Sequence, residues 1–167
     1  MKTLYYTTVN WKYSNLLIML SEVGPSSILF LADRKADELL DRFAGKYSLI
    51  PTQNRYSAFL DKLSTYLNGE KVIFDETLDP IGGTPFQKQV WNSVSKIPYG
   101  ETRTYGEIAK SLGRPKASRA VGAANGANPL PIVVPCHRVI QSNGHLGGYG
   151  GGIAIKDALL RMEHSVL

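Results

Sequence analysis

Pro80, Gly82 and Gly83, within the stretch DPIGGTPFQ, divide the 167-residue chain into two parts with different hydrophobic periods. Before the break, apolar and polar residues alternate, as at Leu4, Tyr6 and Thr8, the period of a half-buried strand. Apolar runs around Leu17 to Leu20 and Ile28 to Leu31 continue this pattern, and Gly24-Pro25 between them predicts a hairpin turn. DRKADELLDRFAG predicts a helix closed by Gly45. RYSAFLDKLSTYLNGE predicts a second, with Tyr56, Phe59, Leu60, Leu63 and Leu67 on one face and Asn68-Gly69 at its end. KVIFDETLD then predicts a short strand. This part carries no catalytic cluster, so its expected role is support.

After the break the period becomes helical. Thr84, Pro85 and Gln87 form a helix start, with Thr as cap, Pro in the first turn and Gln completing a capping box. That helix carries Phe86, Val90 and Val94 with Trp91 beside them, and ends before Pro98. Thr104 and Glu107 form a second box, opening a short helix that Gly113 closes, and ASRAVGAANGA predicts a third. Two short helices on a Gly-containing turn have the helix-turn-helix layout, which many helical hairpins that bind nothing share. The third helix is nearly bare at Gly122, Ala123, Ala124, Gly126 and Ala127, with Arg119 near its start. Glycine weakens a helix. The offsetting gain is either tight helix packing or close approach to a nucleic-acid backbone, and spacing alone does not separate the two.

Charge follows the same division. Residues 1–84 carry nine Lys or Arg against ten Asp or Glu, and residues 85–167 carry ten against four, so the net charge of +5 comes entirely from the second part. Polyanions such as nucleic acid attract such a surface, though it serves solubility equally well. The longest apolar runs, LLIML and SSILFLA, are too short to span a bilayer, and the first fifteen residues have no signal-peptide core. The expectation is a soluble protein of a reducing compartment, with no membrane partner.

The basic part also holds the only cysteine, in PIVVPCHRVIQSNG. One cysteine makes no intrachain disulfide, and with only three histidines at unrelated spacings no metal site is expected. The run Ile132-Val133-Val134 predicts a buried strand ended by Pro135, which delivers Cys136 at a strand end. A lone cysteine is more often an inert apolar residue than a nucleophile. Here, however, His137 and Arg138 follow it, and a thiol of pKa about 8.5 needs a nearby base or positive charge to attack as thiolate. Neighbours on an extended segment point to opposite faces, so His137 is expected to reach the sulfur through a water. In the last predicted helix, IAIKDALLRMEHS, Glu163 shares the apolar face of Lys156, Leu159 and Leu160. It either lies in solvent at the helix end or turns inward onto a partner such as His137.

TPFQKQVW, IPYGETRTYGEIA, SRAVGAANG, GANPLPIVVPCHRVI, GGYGGG and the helix bearing Glu163 together resemble the O6-alkylguanine-DNA alkyltransferases over residues 84–163. The resemblance implies an α+β protein. Residues 1–80 would form an RNase H-like α/β support domain with an antiparallel sheet, and residues 84–167 a mainly helical domain containing a helix-turn-helix, for DNA binding and alkyl transfer. It implies that Cys136 takes the alkyl group of O6-alkylguanine, and of O4-alkylthymine, irreversibly and once, without a cofactor. His137, through a water, and Glu163 would relay the thiol proton, Tyr105 would donate to guanine N3, and Asn128 would brace the loop beneath. Arg119 would fill the gap left by the flipped nucleotide, with Tyr105, Ser118, Ala123 and Gly126 against the minor groove of double-stranded DNA. Pro131, Val139 (through its carbonyl), Tyr149 and Gly150 would line the base pocket. Gly150 stands where some members have serine, so only its backbone N–H could reach O6, and the cysteines of the zinc site found in some relatives are missing. The implied protein is a monomer, with several copies able to sit side by side on DNA, cytoplasmic or, in a eukaryote, nuclear. Three other readings compete. A lesion sensor of this architecture would lack Cys136, a thiol hydrolase or redox enzyme would need a remote activated His or a second Cys, and a purely structural DNA binder leaves Cys136, His137 and Glu163 unexplained.

Overall fold

The computed structural model describes residues 1–164, so Ser165, the end of the last predicted helical stretch, lies outside the described residues. The chain divides into two compact units, Met1–Ile81 and Gly82–Leu167.

The first unit is built on a four-stranded sheet in the order β3-β2-β1-β4, from β1 (Lys2–Val9), β2 (Leu16–Leu20), β3 (Pro25–Phe30) and β4 (Tyr47–Pro51). All five residues of β2 are buried, because a central strand covered on both faces needs a continuous apolar run rather than an alternating one. Leu17 and Met19 cluster with Leu4, Leu31 and the helical Leu39 and Leu40 of α1 (Ala36–Leu40). Alternation along the strand sends Leu16, Ile18 and Leu20 to the other face. In α2 (Ser57–Leu67), Phe59, Leu63, Tyr66 and Leu67 are buried, and the Trp11 indole donates to the Leu67 carbonyl at 3.0 Å.

Three features of this unit depart from the sequence pattern. The sheet is mixed rather than antiparallel: β1 pairs antiparallel with β2 but parallel with β4, a strand the alternation does not announce because only part of it is covered. The first predicted helix contracts to Ala36–Leu40, since Lys35 offers no side-chain cap and the following residues turn toward Gly45. KVIFDETLD is not a strand. Phe74 packs on the Phe59 and Tyr66 rings and Lys62 pairs with Asp75 and Glu76, while backbone contact with β3 comes from Asp79 N–H to Pro25 O and Ile81 N–H to Ser26 O. Pro80, between those two donors, has no N–H to extend a ladder. This segment explains Gly24, where a Cβ would lie 1.9 Å from the Thr77 carbonyl oxygen.

The second unit contains α3 (Pro85–Val94), β5 (Arg103–Thr104), α4 (Tyr105–Ser111), α5 (Ser118–Gly126), β6 (Val139–Ile140) and α6 (Ile153–Met162). Both predicted capping boxes are formed, by Thr84 with Gln87 and by Thr104 with Glu107. The Trp91 indole of α3 donates to the Ala124 carbonyl of α5 at 2.8 Å, fixing that glycine-containing helix from its buried side. β5 and β6 pair in parallel, Arg103 opposite Val139, which brings the start of α4 beside the segment that follows Arg138. Residues 131–134 are buried as expected but form a turn, not a strand. Ile132 takes φ +76°, the Val134 N–H returns to the Leu130 carbonyl at 2.9 Å, and Pro135 cannot donate to a ladder. Among the described residues no helix is long and apolar enough to cross a membrane.

Candidate active site

Cys136, His137 and Arg138 occupy one 3₁₀ turn, held by the Arg138 N–H on the Pro135 carbonyl at 2.9 Å. A 3₁₀ turn spreads three successive side chains around its axis, whereas an extended segment would set neighbours on opposite faces. This turn therefore sends the imidazole and the guanidinium to one shared partner. His137 Nε2 lies 2.8 Å from Glu163 Oε1, and Arg138 grips the same carboxylate with Nη2 on Oε1 at 2.8 Å and Nε on Oε2 at 2.9 Å. The remaining Arg138 Nη1 donates to the Ile97 carbonyl at 2.7 Å. His137 is 0% and Glu163 2% exposed, so this is a buried, bidentate network rather than a surface ion pair.

Burial alone would raise the Glu163 pKa, but the hydrogen bonds from His137 and Arg138 overcome it and hold the carboxyl at about 2. Burial lowers His137 below the ordinary imidazole value, against the pull of Glu163, so the resting ring is neutral. A neutral ring facing a carboxylate carries its proton on Nε2 and leaves Nδ1 as its basic nitrogen. Burial raises the Cys136 thiol, while hydrogen bonding to Asn128, the Lys156 charge and hydrogen bonding to Tyr149 oppose it in decreasing order. The resting sulfur is thus a protonated thiol surrounded by groups that favour its anion.

Lys156 was legible only as a member of the apolar face of α6. It is fully buried, and its ammonium donates to the carbonyls of Val139 at 2.6 Å, Gly148 at 3.4 Å and Leu146. Burial lowers it to about 8, with Cys136 acting in the opposite direction. One side chain thus ties β6, next to the cysteine turn, to the glycine segment 146–148.

That segment walls a cavity of about 370 Å³ lined by Tyr105, Gly122, Asn125, Gly126, Gln141 and residues 147–150. Tyr149 and Gly150 are therefore in the wall, joined by Tyr105 and Gly126. Pro131 and Val139 are buried and are not among its lining residues, and the Val139 carbonyl receives Lys156. Gly147 sits at φ +75°, and a Cβ there would lie 2.9 Å from the Tyr105 hydroxyl, so only glycine leaves that hydroxyl its place. Burial, then Cys136, raises the Tyr105 phenol, which keeps it a proton donor at neutral pH.

Asn128 fastens the turn before Cys136: its Nδ2 donates to the Val134 carbonyl at 2.8 Å and its Oδ1 accepts from the Leu130 N–H at 3.0 Å. On α5, Arg119, Ala123 and Gly126 are exposed at i, i+4 and i+7, one bare face with a single long cation at its start, and Ser118 is half-buried at the first position. Among the described residues, no group of three or more His, Cys, Asp or Glu could hold a metal ion. The sequence marks Arg138 only as a cation next to Cys136 and His137, without its partner Glu163, and does not mark Lys156 or Asn125 as parts of the site.

Loss of the Glu163 network gives a definite acid response. Its folded pKa lies below the ordinary 4.5, so its stabilisation is fully present above pH 4.5 and is lost as the pH falls toward 2. That difference is worth about 3 kcal/mol. Denaturant unfolding of the wild type followed from pH 6 to pH 2 should show this loss, and Glu163→Gln should flatten it.

A family model described as 6-O-methylguanine DNA methyltransferase, DNA binding domain, matches residues 85–165. The chain is 45% identical over 162 residues to a methylated-DNA–protein-cysteine methyltransferase of Methanosarcina acetivorans, covering 97% of this chain and 99% of that one. It is 55% identical over 115 residues, 69% of each chain, to a Mycobacterium bovis protein of the same description. The fold is similar to the crystal structure of Mycobacterium tuberculosis O6-methylguanine methyltransferase, with a TM-score of 0.84 and 41% identity over 97% of this chain and 93% of that one. A M. tuberculosis structure in complex with DNA gives a TM-score of 0.83 at 41% identity, covering 96% of this chain and 92% of that one.

Proposed function

Since the chain belongs to the methylated-DNA–protein-cysteine methyltransferase family, we propose that Cys136 is its alkyl acceptor and that each molecule reacts once. The activity is DNA repair by transfer of an alkyl group from the damaged base to a protein cysteine, and DNA is the partner. One observation carries the assignment: the chain contains a single cysteine, and it stands beside the buried His137–Glu163–Arg138 network.

The step is a displacement at the alkyl carbon. The thiol proton passes, through a bridging water, to His137 Nδ1, and the imidazolium that forms is held by the Glu163 carboxylate. The Cys136 sulfur then forms the S–C bond as the C–O6 bond breaks, and the bonding pair moves onto the guanine. Tyr105 donates toward N3, where that charge spreads, and guanine leaves neutral once a proton is returned. The product is a thioether, which no group in the site can reverse, so the acceptor is consumed. The surroundings that favour the thiolate support this reading, as does a cavity of about 370 Å³ beside Tyr105 and Tyr149, within the range that holds small planar ligands.

DNA would lie along α5, the second helix of a helix-turn-helix formed by α4 and α5, with the bare face of Ala123 and Gly126 in the minor groove and Ser118 near a phosphate. Arg119 would occupy the gap left when the damaged nucleotide turns out into the cavity. In this reading residues 84–167 carry both DNA binding and transfer, and residues 1–80 support them. The strand order β3-β2-β1-β4, with β4 parallel to β1, supports an RNase H-like layout for that part.

Arg119→Ala tests the reading. Extruding a base costs a few kcal/mol, so transfer from an O6-methylguanine duplex should slow by about tenfold to a hundredfold, while reaction with the free alkylated base should not change. Equal slowing on both substrates would remove Arg119 from the flipping step. No transfer by the wild type would overturn the function.

A further inference from the structure

We propose that Tyr99 is a positioning residue for alkyl transfer: its ring holds the Arg138 guanidinium, and through it the Glu163 carboxylate, in line with His137. The inference rests on the alkyl-transfer reading and concerns what keeps the proton relay in register.

The relay has one sensitive point. His137 Nε2 and Arg138 Nη2 both donate to Glu163 Oε1, each at 2.8 Å, so a displaced guanidinium carries with it the oxygen that orients the imidazole. Arg138 is held on its inner side by that carboxylate. On its outer side the holds come from a single short segment. Nη1 donates to the Ile97 carbonyl at 2.7 Å, and two residues later the Tyr99 ring lies under the guanidinium, whose carbon is 5.7 Å from the ring centroid. That distance is within the range in which the electron-rich face of a ring attracts a cation. Arg138 is buried, so water competes little for its charge and the attraction is at the stronger end of its range.

The turn that carries Tyr99 is fitted to this place. Pro98 to Glu101 close through the Glu101 N–H on the Pro98 carbonyl at 3.1 Å, with Gly100 at φ +82°, the third turn position, where a positive φ favours glycine. A Cβ on Gly100 would lie 3.4 Å from the Glu163 carbonyl oxygen, and the Tyr99 hydroxyl points to the Met162 carbonyl at 3.5 Å. The last carbonyls of a helix have no partner within it, so the turn meets α6 where Glu163 leaves it. Burial first, then the Glu163 carboxylate, raises the Tyr99 phenol, and Arg138 opposes them, so both charges of the pair are felt at this side chain. At 3.5 Å the hydroxyl contact is weak, which leaves the ring as the working part.

The test compares Tyr99→Phe and Tyr99→Leu with the wild type, at a temperature where all three are folded. Single-turnover transfer is measured from an O6-methylguanine duplex and from free O6-methylguanine. Phenylalanine keeps the ring without the hydroxyl, so its rate should stay within about threefold of the wild type. Leucine fills space without a ring and should slow transfer by about tenfold, the worth of a desolvated cation–π contact. The slowing should be equal on the two substrates, because the relay and not DNA handling is disturbed. The His137 Nε2–H proton resonance should keep its wild-type position in Tyr99→Phe and move in Tyr99→Leu. Four results would each overturn the proposal: leucine as fast as the wild type, phenylalanine as slow as leucine, slowing confined to the duplex, or an unmoved resonance in Tyr99→Leu. Failure of the wild type to react with either substrate would instead refute the alkyl-transfer reading.

Discussion

Glu163→Gln is expected to slow alkyl transfer by about 10²-fold or more and to destabilise the second unit by about 3–5 kcal/mol. Both effects have one origin. The carboxylate compensates the Arg138 guanidinium, which is 8% exposed, and holds His137 by Nε2 at 2.8 Å. An amide of the same shape cannot neutralise Arg138, so a buried charge is left without its counter-ion, and the imidazolium formed during transfer loses its stabilising anion. Unfolding in denaturant measures the first effect. Single-turnover transfer, at a temperature where the variant remains folded, measures the second. A rate within threefold of the wild type would remove Glu163 from the proton relay and leave it a purely structural role.

Lys156→Met should cost about 2–4 kcal/mol and slow transfer by roughly tenfold to a hundredfold, for a reason unrelated to the relay. The ammonium serves the Val139, Leu146 and Gly148 carbonyls, and methionine of similar length serves none. The glycine segment then loses its anchor, and with it the surface on which the Tyr105 hydroxyl rests. The charge that helps lower the Cys136 thiol is lost as well. The variant's rate should therefore recover as the pH is raised, because more of the thiol ionises, whereas a defect confined to packing would leave the pH profile in place.

Much of this architecture was written in local signals. The two capping boxes begin α3 and α4, and the bare helix and the placement of Glu163 on an apolar face follow from spacing alone. What spacing could not convey is what a side chain finds when it turns inward. Glu163 at an apolar position implies a buried cation, yet nothing in the periodicity selects Arg138, because its reach depends on a 3₁₀ turn that the run Ile132-Val133-Val134 disguises as a strand. Lys156 carried a usable signal, a lysine between apolar helix positions, but two of its three acceptors, the Leu146 and Gly148 carbonyls, lie on a segment without regular structure. Asn125 gave the same kind of signal on α5. β4 was hidden for the opposite reason: as an edge strand with exposed residues it needs little apolar pattern, and its pairing with β1 is a long-range choice.

Whether Cys136 is a stoichiometric acceptor is read from the intact-protein mass after incubation with excess O6-methylguanine duplex. The mass should rise by one methyl-for-hydrogen increment per molecule. That gain should saturate there however much DNA is added, map to the peptide containing Cys136, and be absent in Cys136→Ser. A methyl group found on any other residue, an increment retained by Cys136→Ser, or repair of the duplex with no change in protein mass would contradict it.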